Sequence, residues 1–219
     1  MRKQFYLVIL CFVLMNSIVC AATYNVITDY SLASNPNGVW SYGYMSPDLN
    51  INTFSLYTTT ASSFWLQWYT PGLSADSTPA IAYNNRTTTE YGVAPGQLTL
   101  HPGPAYQASV VRFTAPIDGT YNFVGQFFAG HGGIMSVAVR KVSTMLWSAS
   151  DAGSFDLTQT ITAGTVMDFM VYGGYGAGNT PIALVVTGPD PIPIPEPNTC
   201  LFLGIALSVL AMYCSGKKQ

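Results

Sequence analysis

The spacing of apolar residues between Thr23 and Thr187 is the feature that most constrains the fold. No segment there keeps apolar residues at helical spacing for three turns, whereas segments with a period of two recur between Gly, Pro, Asn and Asp residues. A period of two places successive side chains on opposite faces of a strand. The pattern predicts about eleven strands, at 24–29, 39–44, 54–57, 64–69, 98–101, 108–114, 121–129, 134–142, 155–161, 166–172 and 182–187. We therefore expect an all-β fold, an antiparallel β-sandwich or jelly roll.

The clearest pair of strands lies in the middle of the chain. Val111 and Phe113 share one face of the first strand, and Tyr121, Phe123 and Phe127 share one face of the second. The linking Ala-Pro-Ile-Asp-Gly is a turn, because Pro fixes φ and Asp-Gly supplies an Asx bond and a positive φ. The whole segment, VRFTAPIDGTY, resembles the strand–turn–strand of carbohydrate-binding and complement-type jelly rolls.

The four cysteines all lie near the ends of the chain, at positions 11, 20, 200 and 214. The intervening body has none, so we expect neither a disulfide framework nor a thiolate metal site in it. The body is long enough for one well-buried domain, which we assign to residues 23–187. This domain must be stable through core packing alone.

Charge is sparse in the body, residues 22–190, which carries four cations against nine anions, a net charge of −5. A nucleic acid or an anionic membrane surface needs clustered cations, so the balance excludes both as partners. Low charge with abundant Thr, Ser, Asn, Gly and Tyr is typical of an extracellular all-β domain.

The N-terminus has the pattern of a signal peptide, residues 1–22. Arg2 and Lys3 precede the apolar segment 5–15, and small residues follow up to Ala22. Signal peptidase is then a partner, with cleavage after Ala21 or Ala22. An uncleaved anchor is the alternative, and lipidation at Cys20 fits less well because Val19 is large.

The C-terminus predicts a proline-rich linker, residues 188–198, followed by a transmembrane helix and basic tail, residues 199–219. Alternate prolines favour an extended, polyproline-like linker. The uncharged segment 200–214 is short, because fifteen helical residues rise only about 22 Å and a bilayer core is about 30 Å thick. Lys217 and Lys218 stay cytoplasmic by the positive-inside rule, which places the body outside.

Pro195, Glu196 and Pro197, a hydrophobic helix containing Gly204 and the basic end together resemble the PEP-CTERM sorting signal. The resemblance implies an exported protein of a Gram-negative bacterium that makes exopolysaccharide. It also implies an exosortase that recognises the motif, leaving the protein tethered at the inner membrane or, after processing, at the cell surface or in the matrix. The two terminal lysines depart from the arginine-rich cluster usual in that family.

Catalytic motifs are missing from the sequence: there is no Gly-x-Ser-x-Gly, no His-Glu-x-x-His and no phosphate loop. Glycoside hydrolysis needs two facing carboxyls, and Glu90 is the only glutamate of the body. We assign no catalytic residue, no metal ligand and no cofactor, although structural calcium stays open. The Asp48-x-Asn50-x-Asn52 segment imitates half of a calcium loop and is better explained as polar positions of a strand.

Aromatic residues are the positive signal for function, because sugars stack on flat aromatic surfaces. We expect Trp40 and Trp65 in the core, since such rings bury well between sheets, and we expect Tyr175, in a glycine-rich loop, to be exposed. The candidate ligand-binding residues are Tyr175, Trp68, Tyr69 and the loop residue His131; His101 is expected to be a structural turn residue. We predict a non-catalytic surface protein that binds extracellular polysaccharide, with a purely structural or adhesive protein as the alternative and a hydrolase as the least favoured.

Overall fold

The structure, a computed structural model, describes residues 21–190 of the 219-residue chain. The predicted signal helix before Ala21, most of the linker, the Pro195–Pro197 motif and the predicted C-terminal helix lie outside the described residues. Within residues 21–190, no helix is long and apolar enough to cross a bilayer.

The described part of the chain forms fourteen strands and one short 3₁₀ helix. In chain order these are β1 (Ala21–Asn25), β2 (Trp40–Met45), the 3₁₀ helix (Ile51–Thr53), β3 (Ser55–Leu56), β4 (Thr59–Ala61), β5 (Leu66–Tyr69), β6 (Ala80–Tyr83), β7 (Leu98–His101), β8 (Ala108–Thr114), β9 (Gly119–Phe127), β10 (Ser136–Lys141), β11 (Thr144–Ser150), β12 (Gly153–Ile161), β13 (Val166–Tyr172) and β14 (Thr180–Pro189).

The strands form two antiparallel sheets. Sheet A has the order β12-β9-β14-β7-β6-β5-β4, with β1 also paired to β14, and sheet B has the order β11-β10-β13-β8-β2-β3. Strand β14 is long enough to serve two neighbours on one edge: its residues 180–182 pair with β7 and its residues 185–189 pair with β1. The predicted all-β antiparallel sandwich is confirmed.

The core lies between the two sheets and is rich in aromatic rings. Phe113 is at its centre, edge-on to Trp40, Tyr121 and Phe123 at centroid distances of 5.4, 5.7 and 5.5 Å. Such pairs stabilise a core by about 0.5–1.5 kcal/mol each beyond the area they bury. The predicted burial of Trp40 is confirmed, as is the shared inward face of Tyr121 and Phe123.

The sequence pattern did not predict three of the strands, namely β4, β6 and β11. Strand β4 is a three-residue edge with two exposed or half-exposed threonines, and β6 is a four-residue segment directly after Pro79. Strand β11 follows β10 through Val142 and Ser143, and Val142 adopts a positive φ of 52° without being Gly, Asn or Asp. Short length and an atypical turn residue hide these strands from a period-two search.

The prediction that the segment around Asp48 and Asn50 belongs to a strand is wrong. Asn50 caps the 3₁₀ helix, its side chain accepting from the Asn52 N–H at 3.0 Å. Asp48 Oδ1 in turn accepts from the Asn50 N–H at 3.2 Å. These local side-chain bonds compete with a β ladder, and the segment turns instead.

The outer face of sheet B carries a buried ionic cluster. Asp168 is fully buried and accepts from Arg112 Nε at 2.7 Å and Nη2 at 3.1 Å, and from Arg140 Nη2 at 3.0 Å. The segment 46–54 lies against the cluster: Arg140 donates to the Leu49 carbonyl, and the Arg112 guanidinium lies 3.7 Å from the Phe54 ring centroid. A fully buried carboxylate is thus held by two cations.

Candidate ligand-binding groove

A groove of about 550 Å³ lies on the outer face of sheet A. It crosses β5, β6 and β7, whose inward residues Trp68, Ile81 and Leu100 belong to the core. The alternate residues of these strands therefore face away from the core and form the floor of the groove. This volume is in the range of small-molecule sites, about 300–1,000 Å³.

The floor consists mainly of small side chains in cross-strand register. Gln67 lies opposite Ala82, and Ala82 opposite Thr99, so the three form a row across the strands. Ala80 lies opposite His101 in the next row. Larger residues at Ala80 and Ala82 would fill the space, so the alanines keep the groove open.

Two buried polar atoms beside the floor have no hydrogen-bond partner within residues 21–190, namely Thr99 Oγ1 and Trp65 Nε1. Both residues line the groove, and Thr99 is only 1% exposed. A buried hydroxyl or indole N–H is unfavourable without a partner, so a molecule or water that reached either atom would stabilise the site.

One wall of the groove is aromatic and is formed by Phe64, Trp65, Tyr91 and His131. Phe64 contacts Trp65 at a centroid distance of 5.1 Å and Tyr91 at 5.9 Å, and Tyr91 contacts His131 at 5.0 Å. Phe64 is 40% exposed and Tyr91 is 55% exposed. The wall thus presents large apolar surfaces to solvent, and the contacts between the rings hold them in position.

Tyr91 is at the tip of an unusual turn. Glu90 and Val93 exchange both backbone hydrogen bonds, at 3.1 and 2.9 Å, and the two residues between them have positive φ: 48° at Tyr91 and 74° at Gly92. Two positive φ values define a type I′ turn, whose first central position favours Asn, Asp or Gly. A tyrosine is strained there, and such strain persists at sites where the side chain has a use.

Tyr91→Asn is therefore expected to raise the free energy of unfolding by about 0.5–1 kcal/mol, because Asn tolerates the left-handed region. The same change should lower the affinity for any ligand that stacks on the aromatic wall. Urea unfolding with an unchanged m value measures the first effect. Tyr106→Asn is the matched control for binding. Tyr106 is also exposed, at 60%, and has a φ of 60°, but it lies outside the groove, so its replacement should leave ligand affinity unchanged. Lower stability of Tyr91→Asn would contradict the strain.

The polar wall is formed by Asp76, Thr78 and Tyr175, at the end of β5 and β6 away from Phe64 and Trp65; Asn179 also lines the groove, and its carbonyl accepts from the His131 N–H at 3.1 Å. The Tyr175 hydroxyl donates to Asp76 Oδ2 at 3.0 Å and accepts from Thr78 Oγ1 at 3.4 Å. The Tyr175 ring is edge-on to His101 at a centroid distance of 5.5 Å. These contacts fix a loop tyrosine and a carboxylate on the side of the groove that faces the aromatic rings.

His101 connects the floor to the polar wall. Its Nδ1 lies 2.7 Å from the Pro102 carbonyl oxygen, which can only accept, so Nδ1 carries the proton. Burial lowers the pKa of His101, which favours the neutral ring. In this tautomer Nε2 is a hydrogen-bond acceptor, and it makes no hydrogen bond within the described residues.

The structure brings together two of the four residues predicted to bind a ligand. Tyr175 and His131 both line the groove. Trp68 does not, because it is 7% exposed on the core side of β5, with Nε1 donating to the Ser31 carbonyl at 2.8 Å. Tyr69 is half-buried beside the floor, opposite Ala80. The expectation that Tyr175 is exposed is wrong, because its contacts with Asp76 and His101 leave it half-buried.

Sequence reasoning missed Phe64, Tyr91 and Asp76 as parts of the site, and it treated His101 as a turn residue. The Tyr91-Gly92 pair between apolar positions was a usable turn signal. No sequence signal joins the loops around positions 64, 91 and 131, because their proximity depends on the order of strands in sheet A. In residues 21–190 no group of three or more His, Cys, Asp or Glu could hold a metal ion.

No family model matches the chain, and no curated protein matches it. Among solved structures it is similar to the K3 adhesin domain of Lys-gingipain from Porphyromonas gingivalis, with 12% identity and a TM-score of 0.34 over 77% of this chain and 99% of that one. It is also similar to a family 35 carbohydrate-binding module from Paenibacillus barcinonensis, with 11% identity and a TM-score of 0.30 over 75% and 97% of the two chains. For the family 35 module of Clostridium thermocellum the identity is 11% and the TM-score 0.27, over 37% and 75%. These similarities are remote, so only the groove's own residues bear on what it binds.

Proposed function

We propose that the groove on sheet A binds a saccharide chain and that the protein is a non-catalytic carbohydrate-binding surface protein. The observation that carries the proposal is the pairing of an exposed aromatic wall with a hydrogen-bonding wall across a floor of small side chains. A sugar ring has the same two-sided chemistry, since its C–H faces are apolar and its edge carries hydroxyl groups.

The aromatic wall supplies the apolar half of this recognition. Phe64 and Tyr91 are among the most exposed large hydrophobic residues of the described chain, and they are adjacent, at 5.9 Å. Scattered exposed rings are common on protein surfaces, whereas a contiguous pair beside a groove is typical of a binding site. Its flat surfaces would stack against sugar C–H groups.

The polar half comes from Asp76, His101, Gln67 and Asn179, which all line the groove. Asp76 is the only carboxylate among the described residues that line the groove. Hydrolysis of a glycosidic bond by the usual route uses two carboxyl groups about 5–9.5 Å apart. A single carboxylate supports binding over cleavage.

The experiment is a screen of the purified full-length chain against arrayed polysaccharides. We expect retention of at least one glycan by the wild-type protein, and loss of that retention in Phe64→Ala/Tyr91→Ala. Tyr106→Ala removes an exposed tyrosine outside the groove and should bind like the wild type. If the wild-type protein retains no glycan, the proposed function is wrong.

A structural or adhesive role without a glycan ligand is the second candidate. It is favoured by the other half of the outer face of sheet A, where β9, β12 and β14 present exposed side chains around a shallow depression. Thr120 and Thr160 share a hydrogen bond of 2.9 Å there, and Val124 lies exposed opposite Val185. An interaction through this half would survive the two groove substitutions, which distinguishes it from glycan binding.

We also propose that the chain is exported and sorted through its ends. Residues 1–22 act as a signal peptide for signal peptidase, and the C-terminal segment inserts into the membrane, where an exosortase-type enzyme recognises Pro195, Glu196 and Pro197. The support is the order of motif, apolar segment and basic end, together with the low charge of the body. The working location is then the surface or the exopolysaccharide matrix of a Gram-negative cell.

Replacement of Pro195, Glu196 and Pro197 by alanines is expected to leave the protein in the inner-membrane fraction, because the processing enzyme no longer recognises the tail. Fractionation of exosortase-bearing cells followed by immunoblotting measures the distribution. Alanines at Pro191 and Pro193 are the matched control, since they alter the same proline-rich segment outside the motif. An unchanged distribution of the motif variant would refute the sorting role.

A further inference from the structure

We infer that the groove selects uncharged glycans over anionic ones, and that Asp76 and His101 set this selectivity. The inference rests on the proposed function, because it concerns the chemical class of saccharide that the same groove accepts. It is carried by the charge and by the hydrogen-bonding direction of the groups that line the site.

The groove contains a negative charge and no opposing cation. Asp76 is exposed, and neither Lys nor Arg lines the groove in the described chain. On the aromatic side, the Arg86 guanidinium lies 4.9 Å from the Phe64 ring centroid. Arg86 Nε is already 3.9 Å from Glu90 Oε1, so this cation is offset by a neighbouring carboxylate. A sugar carboxylate or sulfate would meet Asp76 without a compensating charge.

The groups around Asp76 offer acceptors, whereas the unpartnered Trp65 N–H at the aromatic wall is a donor. Asp76 Oδ2 accepts from Tyr175, which leaves Oδ1 for a ligand, and His101 Nε2 is an acceptor because Nδ1 carries the proton. Gln67 Nε2 donates to the Ser77 carbonyl at 2.8 Å, and Gln67 Oε1 is a further acceptor. Acceptors require donors on the ligand. Neutral sugars supply hydroxyl hydrogens, whereas an ionised carboxylate or sulfate supplies only more acceptors.

The net charge of the body also disfavours anionic glycans. Its net charge of −5 repels a polyanion before any contact forms, and none of its four cations lies in the groove. Experiment can separate the effect of Asp76 in the groove from that of the net charge. Asp156 is an exposed carboxylate on the same outer face of sheet A but outside the groove.

The test compares neutral β-glucan, α-glucan and mannan with their C6-oxidised uronate forms, using the full-length chain and affinity electrophoresis. We expect wild-type protein to bind at least one neutral polymer and to bind its oxidised form at least about tenfold more weakly. Asp76→Asn should strengthen binding of the oxidised form by about threefold to tenfold, since it removes one exposed like charge. It should leave the neutral polymer within about threefold, because Asn keeps the acceptor for Tyr175.

Asp156→Asn changes the net charge by the same amount and should leave the selectivity unchanged. An equal gain in this control would show that total charge, not the groove, repels anionic glycans, and would overturn the inference. Equal wild-type affinity for neutral and oxidised polymers would overturn it as well while leaving saccharide binding intact. Binding of none of these polymers would refute both the inference and the proposed function.

Discussion

Asp168→Ala is expected to lower the free energy of unfolding by about 3–5 kcal/mol, because it leaves two cations without their shared anion beneath the segment 46–54. Arg140 is only 4% exposed and Asp168 is fully buried, so water cannot replace the lost contacts without local opening. Urea denaturation followed by tryptophan fluorescence measures the loss.

Two controls separate the burial of charge from the loss of a carboxylate. Asp156→Ala removes an exposed aspartate from sheet A and should change stability by less than about 0.5 kcal/mol. Replacing Arg112, Arg140 and Asp168 together by Met, Met and Leu removes every charge of the cluster and should destabilise less than Asp168→Ala alone. A loss below about 1 kcal/mol for Asp168→Ala would show that the cluster contributes little.

Phe64→Ala/Tyr91→Ala is expected to weaken glycan binding by about 30- to 100-fold, because both partly exposed rings of the aromatic wall are lost. Phe64 is 40% exposed and Tyr91 is 55% exposed, so the substitutions remove little core and the protein should stay folded. Isothermal titration with the glycan found by the screen gives the affinities. Near-identical affinities of the double variant and Tyr106→Ala would contradict a role for the wall.

The sequence predicts the sandwich well where strands alternate strictly. Val111 with Phe113, and Tyr121 with Phe123 and Phe127, occupy the inward faces that the pattern assigned. The weak regions are short edges and turns: β4 and β6 have only three and four residues. Local side-chain bonds at Asn50 and positive φ at Val142 override the simple alternation.

The groove was only partly predictable, for a reason that lies in topology. Tyr175 and His131 were recognisable as ligand candidates from their glycine-rich loops. Trp68 was misleading, because its one-residue offset from Gln67 places it on the core side of the same strand. The meeting of Tyr91 with His131, 40 positions along the chain, follows from strand order, which a period-two pattern does not contain.

The central claim, that the groove itself binds a glycan, is tested most directly by the indole N–H signals of the four tryptophans. Trp65 Nε1 borders the groove without a partner in the described chain, whereas Trp40 Nε1 donates to Asp29 at 3.0 Å and Trp68 Nε1 to Ser31 at 2.8 Å. On ¹⁵N-labelled full-length protein, we expect glycan titration to shift the Trp65 signal and to leave those of Trp40, Trp68 and Trp147 in place. A glycan that binds while the Trp65 signal stays fixed and another indole shifts would contradict the assignment of the groove.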